Sequence, residues 1–189
     1  MRSLSDYIAK EFTVNGTKSK RIILFDIDDT LIHTTAKIGV KKNNRIIKKL
    51  HNSDFNEYEL KSGESFDFDE FNDFKLLNNE EFTKYWNTLK REYKKGTHIG
   101  IITARSNRDM IFKFFKNKGI EIKKSLIFAV NDPQLGLIGS IAEKKTIIVS
   151  KLIELGYNTL VFFDDSDTNL RYAKSLEKDY NAKIITVKV

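Results

Sequence analysis

Three carboxylates, Asp26, Asp28 and Asp29, lie within four positions directly after an apolar run that ends at Phe25. Anions this close repel one another unless a cation lies among them. A hard divalent ion with oxygen ligands would meet this need, and Mg²⁺ is the ion that we expect. A single Asp here would most simply be a turn residue or a helix cap, but the whole cluster indicates a metal-dependent reaction site.

Other polar groups that could act with this cluster follow later in the chain, each at the end of an apolar run or at the start of a helix. They are Thr103 with the backbone amide of Ala104, the neighbouring Lys144 and Lys145, and the acid pair Asp164 and Asp165 with Asn169. Taken singly, a Thr is most often a cap and a Lys a solvated surface residue. As a series, they predict side chains that converge with the acid cluster.

The elements that must position these groups are short apolar runs alternating with amphipathic stretches. Strands are predicted at residues 21–26, 98–103, 125–130, 159–163 and 183–189, and helices at 80–95, 107–118, 140–155 and 168–178. Ser140 and Glu143 form a capping box for the third of these helices. Strands that are apolar on both faces and alternate with helices predict an α/β fold with a covered parallel sheet. Such sheets bind ligands at the carboxyl ends of their strands.

Charge singles out one segment that does not follow this pattern. Residues 33–53 hold six Lys or Arg side chains and no acid, whereas residues 54–81 hold ten acids and two Lys. A basic stretch followed by an acidic one predicts a hairpin or small lobe that neutralises its own charge. Two solvated faces with no special role remain the alternative.

Length and composition limit the class of protein. The 189 residues fit one domain, residues 1–189, and the absence of Cys excludes a disulfide scaffold and a thiol nucleophile. Residues 1–20 predict a short helix through Leu4, Ile8 and Phe12. No apolar run suits a membrane span or a signal peptide, so we expect a cytoplasmic protein with no membrane partner. The net charge of +7 is weak support for a nucleic-acid partner, because AT-rich coding would also enrich Lys.

The polar groups together resemble the motifs of the haloacid dehalogenase (HAD) superfamily of phosphohydrolases, over residues 21 to about 170. The spacing of Asp26, Asp28 and Thr30 is the specific part of the match, and the Asp164 and Asp165 pair is a good one. The single Thr and the single Lys match weakly. The resemblance implies a Rossmann-like three-layer α/β/α fold with sheet order 5-4-1-2-3 and residues 33–79 as a small hairpin-like insert after the first strand.

The resemblance also implies which groups react. Asp26 would be the nucleophile that forms an aspartyl-phosphate, and Asp28 would protonate the leaving oxygen and then activate water. Thr103, Ala104 and a lysine would bind the phosphoryl oxygens. Covalent catalysis by a carboxylate divides a difficult hydrolysis into two easier displacements. We expect the chain to turn after Phe25, so that both acids face the substrate.

For the metal, the resemblance implies Mg²⁺ held by Asp26, by the backbone carbonyl of Asp28 and by Asp165. Asp164 and Asn169 would support these ligands by hydrogen bonds. The dehalogenases that name the superfamily need neither Mg²⁺ nor a proton donor such as Asp28, so the resemblance favours a phosphatase.

Which lysine binds phosphate is left open by the motif. Lys144 shares a helix face with Ile147, Ile148 and Leu155, whereas Lys145 is rotated from it by about 100°. If that apolar face packs on the sheet, Lys144 is the residue that reaches the site, and we expect Lys144 to bind phosphate.

The substrate is less constrained than the reaction. The insert is short, and the segment between Thr103 and Lys144 leaves no room for a second one. An open site favours a large phosphoester, so a nucleotide or nucleic-acid end comes first, and a phosphoprotein or small metabolite follows. Composition and the short insert also resemble superfamily members of tailed bacteriophages. The oligomeric state is not determined by the sequence.

Two other classes of protein share parts of this pattern. A non-catalytic binding protein could keep the scaffold, although all four motif positions are present. A receiver domain of two-component signalling also combines an Asp pair, Thr and Lys on a parallel sheet. Its phosphorylated Asp follows a middle strand, where this chain has Asn131.

Overall fold

The structure, a computed structural model, describes residues 20–51, 54 and 58–189. These residues fall into two compact units, one made of residues 20–33 with Phe82–Val189 and the other of Thr34–Glu81. The helix expected through Leu4, Ile8 and Phe12 lies outside the described residues.

The described residues form strands and α-helices that alternate over much of the chain. The strands are β1 (Lys20–Phe25), β2 (Ile32–His33), β3 (Ile38–Lys42), β4 (Arg45–Leu50), β5 (Glu64–Asp67), β6 (Glu81–Phe82), β7 (His98–Thr103), β8 (Ile127–Ala129), β9 (Tyr157–Asp164) and β10 (Lys183–Lys188). The α-helices are α1 (Phe74–Asn79), α2 (Lys84–Lys94), α3 (Arg108–Asn117), α4 (Ile141–Glu154) and α5 (Asp167–Ser175).

The first unit is built on a five-stranded sheet in the order β10-β9-β1-β7-β8, with every neighbouring pair parallel. Its central strand is buried along most of its length, since Ile22, Leu24 and Phe25 have no exposed surface. Helices α2 to α5 flank the sheet, and their buried apolar side chains complete the core. The predicted α/β fold with a covered parallel sheet is therefore confirmed.

Some element boundaries differ from those predicted. The helix expected from residue 80 begins only at Lys84, because the side chain of Thr83 caps it by accepting from the amide of Tyr85. The third strand is shorter than expected, since a 3₁₀ turn takes up Lys124–Leu126. The capping box of Ser140 and Glu143 is formed as predicted.

The second unit contains an antiparallel sheet in the order β4-β3-β5. Asn43 and Asn44 form the turn between β3 and β4 with positive φ angles of 50° and 61°, the conformation that such tight hairpin turns require. The sequence led us to expect a hairpin, and the third strand, β5, is an addition to it. Its acidic residues lie beside the basic strand β3.

Charge is neutralised within this second unit at two places. Lys41 forms an ion pair with Asp67, and Lys49 Nζ lies 2.6 Å from a carboxylate oxygen of Glu70. The basic and acidic stretches therefore pair with each other, at least in part. In the described part of the chain, no helix is long and apolar enough to cross a membrane.

Candidate active site

The chain turns sharply just beyond β1. The amide of Asp26 still donates to the carbonyl of Phe163 on the neighbouring strand, at 3.0 Å. The amides of Thr30, Leu31 and Ile32 then all donate to the carbonyl of Ile27, and Asp29 has a positive φ of 56°. The turn expected after Phe25 is therefore present, and it sends the carboxylates of Asp26 and Asp28 to different partners.

Asp26 lies against a buried lysine, and that lysine is Lys145. Lys145 Nζ is 3.1 Å from Asp26 Oδ1 and 2.7 Å from Asp164 Oδ2, and the lysine is only 1% exposed. Burial raises the pKa of the Asp26 carboxyl well above its ordinary value, although Lys145 opposes the rise. Burial alone would lower the pKa of Lys145, but its two carboxylate neighbours hold it above its ordinary value. The lysine therefore stays charged.

The expectation for Lys144 is wrong in its geometry. Its Nζ donates to the side-chain oxygen of Asn131 at 2.8 Å. The buried face of α4 contains Lys145, Ile148 and Leu152. The helix therefore packs on the sheet through the face that includes Lys145, next to the face that we expect from the sequence. Lys145, and not Lys144, joins the carboxylates.

Asp164 has each of its oxygens bonded by protein donors. Its Oδ1 accepts from the amide of Ser166 and from Nδ2 of Asn169, both at 2.9 Å, and its Oδ2 accepts from Lys145. The carboxylate is fully buried. Asn169 thus bonds Asp164, and Asp164 in turn holds Lys145. The support of metal ligands that we expect from Asp164 and Asn169 stays a prediction.

Asp165, the next residue, is in a different situation. It is partly exposed, and burial together with the charge of Asp164 raises its pKa to about 6. A carboxylate whose charge is disfavoured in this way gains most from a cation.

Oxygens of Asp26, Asp164 and Asp165 all lie within 4.8 Å of one another. The buried Asp26 Oδ1 forms an ion pair with Lys145 at 3.1 Å. Three clustered carboxylates with one lysine among them fit a hard divalent cation such as Mg²⁺. The side chain of Asp28 lies outside this group and is bonded by Arg105.

Thr103 and Ala104 lie at the same edge of the sheet, at the end of β7. Because Phe25 is paired with Ile101 across β1 and β7, Thr103 lies just beyond the level at which Asp26 leaves its strand. Thr103 is buried, and its hydroxyl oxygen accepts from the amide of Arg105 at 3.3 Å. Ala104 is exposed. The two residues therefore lie at the sheet edge from which Asp26 emerges.

Arg105 is a site residue to which sequence reasoning gave no role. It is 3% exposed and donates to both carboxylate oxygens of Asp28, from Nε to Oδ2 at 3.0 Å and from Nη2 to Oδ1 at 2.7 Å. A signal was available, because Arg105 follows Thr103 and Ala104 directly, at the end of a strand expected near β1.

Formal charge in the site favours a divalent cation. Five carboxylates, those of Asp26, Asp28, Asp29, Asp164 and Asp165, lie in or beside this cluster, against two cationic groups, Lys145 and Arg105. The carboxylates outnumber the cationic groups, which favours a bound cation. No family model, curated protein or solved structure matches this chain, so a functional proposal depends on the site itself.

Proposed function

We propose that the protein is a Mg²⁺-dependent phosphatase that hydrolyses a phosphomonoester through an aspartyl-phosphate on Asp26. The observation that supports this most directly is the buried Asp26 carboxylate, which is ion-paired with Lys145 at 3.1 Å and lies within 4.8 Å of oxygens of Asp164 and Asp165. Three acids gathered around one buried lysine are costly for an arrangement that serves only the fold. A buried carboxylate in such a cluster, at the carboxyl edge of a parallel sheet, is placed for reaction.

In the proposed reaction, an oxygen of Asp26 attacks phosphorus while the bond from phosphorus to the leaving oxygen breaks. Asp28 gives its proton to the leaving oxygen. Water then attacks the phosphorus of the aspartyl-phosphate, Asp28 takes the proton of that water, and inorganic phosphate leaves with Asp26 restored. Both displacements have the same geometry, so one set of groups serves both.

The remaining groups bind and stabilise charge. Lys145 takes the place that we had expected for Lys144, and Thr103 with the amide of Ala104 binds the other phosphoryl oxygens. Asp26, Asp165 and the backbone carbonyl of Asp28 would hold Mg²⁺, which neutralises phosphoryl charge when bound. The strand order β10-β9-β1-β7-β8 and the insert that follows β1 support the resemblance to the HAD superfamily.

The substrate class follows less directly. A nucleotide or a nucleic-acid end remains our first choice because of the basic residues of the insert. Lys41 and Lys49 are engaged by acids of their own unit, so any contact with a nucleic-acid backbone would involve the exposed Lys42, Arg45 and Lys48. A phosphoprotein or a small phosphorylated metabolite is the alternative.

The test is turnover of a panel of phosphomonoesters in Mg²⁺ and in EDTA, by the parent and by Asp26→Asn. We expect release of phosphate that needs Mg²⁺ and that falls by at least about 10³-fold in the variant, because the nucleophile is lost. Asp179→Asn is the matched control, since Asp179 is exposed and belongs to none of the motifs. A parent protein that binds Mg²⁺ but hydrolyses nothing in the panel would contradict the proposal and favour a binding module.

A further inference from the structure

The contact between Arg105 and Asp28 has no part in the reaction steps proposed above. Both side chains lie in the first unit, and the guanidinium is almost completely buried. The backbone of Arg105 is also fixed, since its amide donates to the hydroxyl of Thr103 and its carbonyl accepts from the amide of Asn131. Arg105 is therefore fixed at both ends.

A carboxylate has four lone-pair positions, and a bidentate guanidinium occupies two of them. A bidentate contact by itself therefore does not use up the hydrogen-bonding capacity of a carboxylate. The guanidinium fork also fixes the plane of the carboxylate, which a flexible ammonium could not do. The contact is thus compatible with proton transfer and restricts the direction in which it occurs.

The same contact keeps the side chain of Asp28 apart from the other acids. Asp26, Asp164 and Asp165 bring their oxygens together, whereas the Asp28 carboxylate is held by Arg105. Without the guanidinium, a cation held by the acid cluster would attract Asp28, and the acid would be lost to the leaving group.

We infer that Arg105 is the positioning residue of the proton-transferring acid Asp28, an inference that rests on the proposed phosphatase function. Arg105 keeps Asp28 directed at the leaving oxygen and away from the metal ligands. Misplacing a catalytic group by about 1 Å can cost about 10²-fold in rate. If Arg105 acts through Asp28, its replacement should lower turnover only for substrates whose leaving oxygen needs a proton.

The experiment compares a poor leaving group, as in an alkyl phosphate, with a good one, as in p-nitrophenyl phosphate. Turnover is measured for the parent, Arg105→Lys, Arg105→Gln, Asp28→Asn and the double variants. We expect the Arg105 variants to lose about 10²-fold on the alkyl phosphate and no more than about threefold on p-nitrophenyl phosphate. In the Asp28→Asn background, changing Arg105 should cause no further loss, since the arginine acts through that carboxylate.

Arg105→Lys keeps the charge, so the test can still be made if Arg105→Gln does not fold. Thermal unfolding shows whether each variant is folded. Arg91→Lys, at an exposed position of α2, controls for the chemical change. Equal losses on the two substrates, or an undiminished loss in the Asp28→Asn background, would overturn the inference while leaving the phosphatase proposal intact. A parent inert on both substrates would overturn the phosphatase proposal, and this inference with it.

Discussion

Lys145 is the residue on which the site depends most. It lies between two buried carboxylates, and it has little exposed surface of its own. Burying three charged groups is costly, and the arrangement is tolerable only while all three are present. Under the proposed function, the same lysine would also neutralise the charge of a phosphoryl group bound at Asp26.

Replacing Lys145 by Met keeps most of the side-chain volume and removes the charge. We expect the free energy of unfolding to fall by about 3–5 kcal/mol, because the two acids would be left buried without a cation, and we expect turnover to be lost. Lys144→Met is the matched control, and its cost should be below about 1 kcal/mol. Denaturant unfolding and turnover are the measurements. If Lys144→Met proved the more harmful variant, the phosphate-binding role would return to Lys144.

The pH dependence of stability should reveal Asp165. Its pKa of about 6 in the folded protein lies above the ordinary value of 3.8, so the folded state binds the proton more tightly than the unfolded state. The contribution of Asp165 to the free energy of unfolding is complete below pH 3.8 and is lost as the pH rises through about 6.

Asp165→Asn, which cannot ionise, should therefore gain stability relative to the parent as the pH rises from about 4 to about 7. The expected gain is about 1–2 kcal/mol, allowing for solvent screening of this partly exposed group. Urea unfolding in EDTA across that pH range measures it. Added Mg²⁺ at neutral pH should stabilise the parent more than the variant. If the difference in free energy of unfolding between variant and parent stays constant with pH, folding does not raise the pKa of Asp165.

At the scale of the elements, local sequence signals predicted most of the sheet and its helices. Capping residues and glycines mark helix ends by local chemistry, so the α4 capping box could be found without knowledge of the fold. The start of α2 was misplaced for a different reason. Phe82 does stack on Trp86, with ring centroids 4.1 Å apart, as a helical spacing would suggest, but Phe82 does so from β6.

The lysine error has a similar physical origin. Helix α4 has apolar residues on two adjacent faces, including Ile147 on one and Val149 on the other. The periodicity could not decide which face meets the sheet, and each lysine borders one of them. Packing against the sheet makes that choice, and packing is not a local property.

The pair of Arg105 and Asp28 shows a further limit of local signals. The two residues are 77 positions apart, and they meet because β1 and β7 are neighbours in the sheet. Strand adjacency predicts which chain segments share an edge. It does not predict which of several polar side chains at that edge will bind each other.

At the scale of the whole molecule, the candidate catalytic groups all belong to the first unit, whereas the basic stretch belongs to the second. Each unit has a core of its own, which in the second contains Ile38, Val40 and Leu50. Changes to exposed charges of the insert can therefore be made without touching the residues that react. This separation allows the substrate proposal to be tested independently of the chemistry.

Two double charge reversals in the insert are matched in size and differ in their partners. Lys41→Glu with Lys49→Glu removes two ion pairs with acids of the same unit and places like charges together, so the free energy of unfolding should fall by about 1–2 kcal/mol. Lys42→Glu with Arg45→Glu changes exposed residues, of which Lys42 lies opposite Glu64 across β3 and β5, so it should cost at most about 1 kcal/mol. Denaturant unfolding measures both.

Turnover should separate the same two variants in a way that identifies the substrate. If a nucleic-acid backbone binds the insert, Lys42→Glu with Arg45→Glu should weaken turnover of a phosphorylated oligonucleotide and leave p-nitrophenyl phosphate unaffected. The oligonucleotide effect should shrink steeply as salt is added, because phosphate contacts release counterions. Equal effects of this variant on both substrates, or no oligonucleotide turnover by the parent at any salt concentration, would remove nucleic acid as the substrate. The basic stretch would then serve the insert alone, through its ion pairs with Asp67 and Glu70.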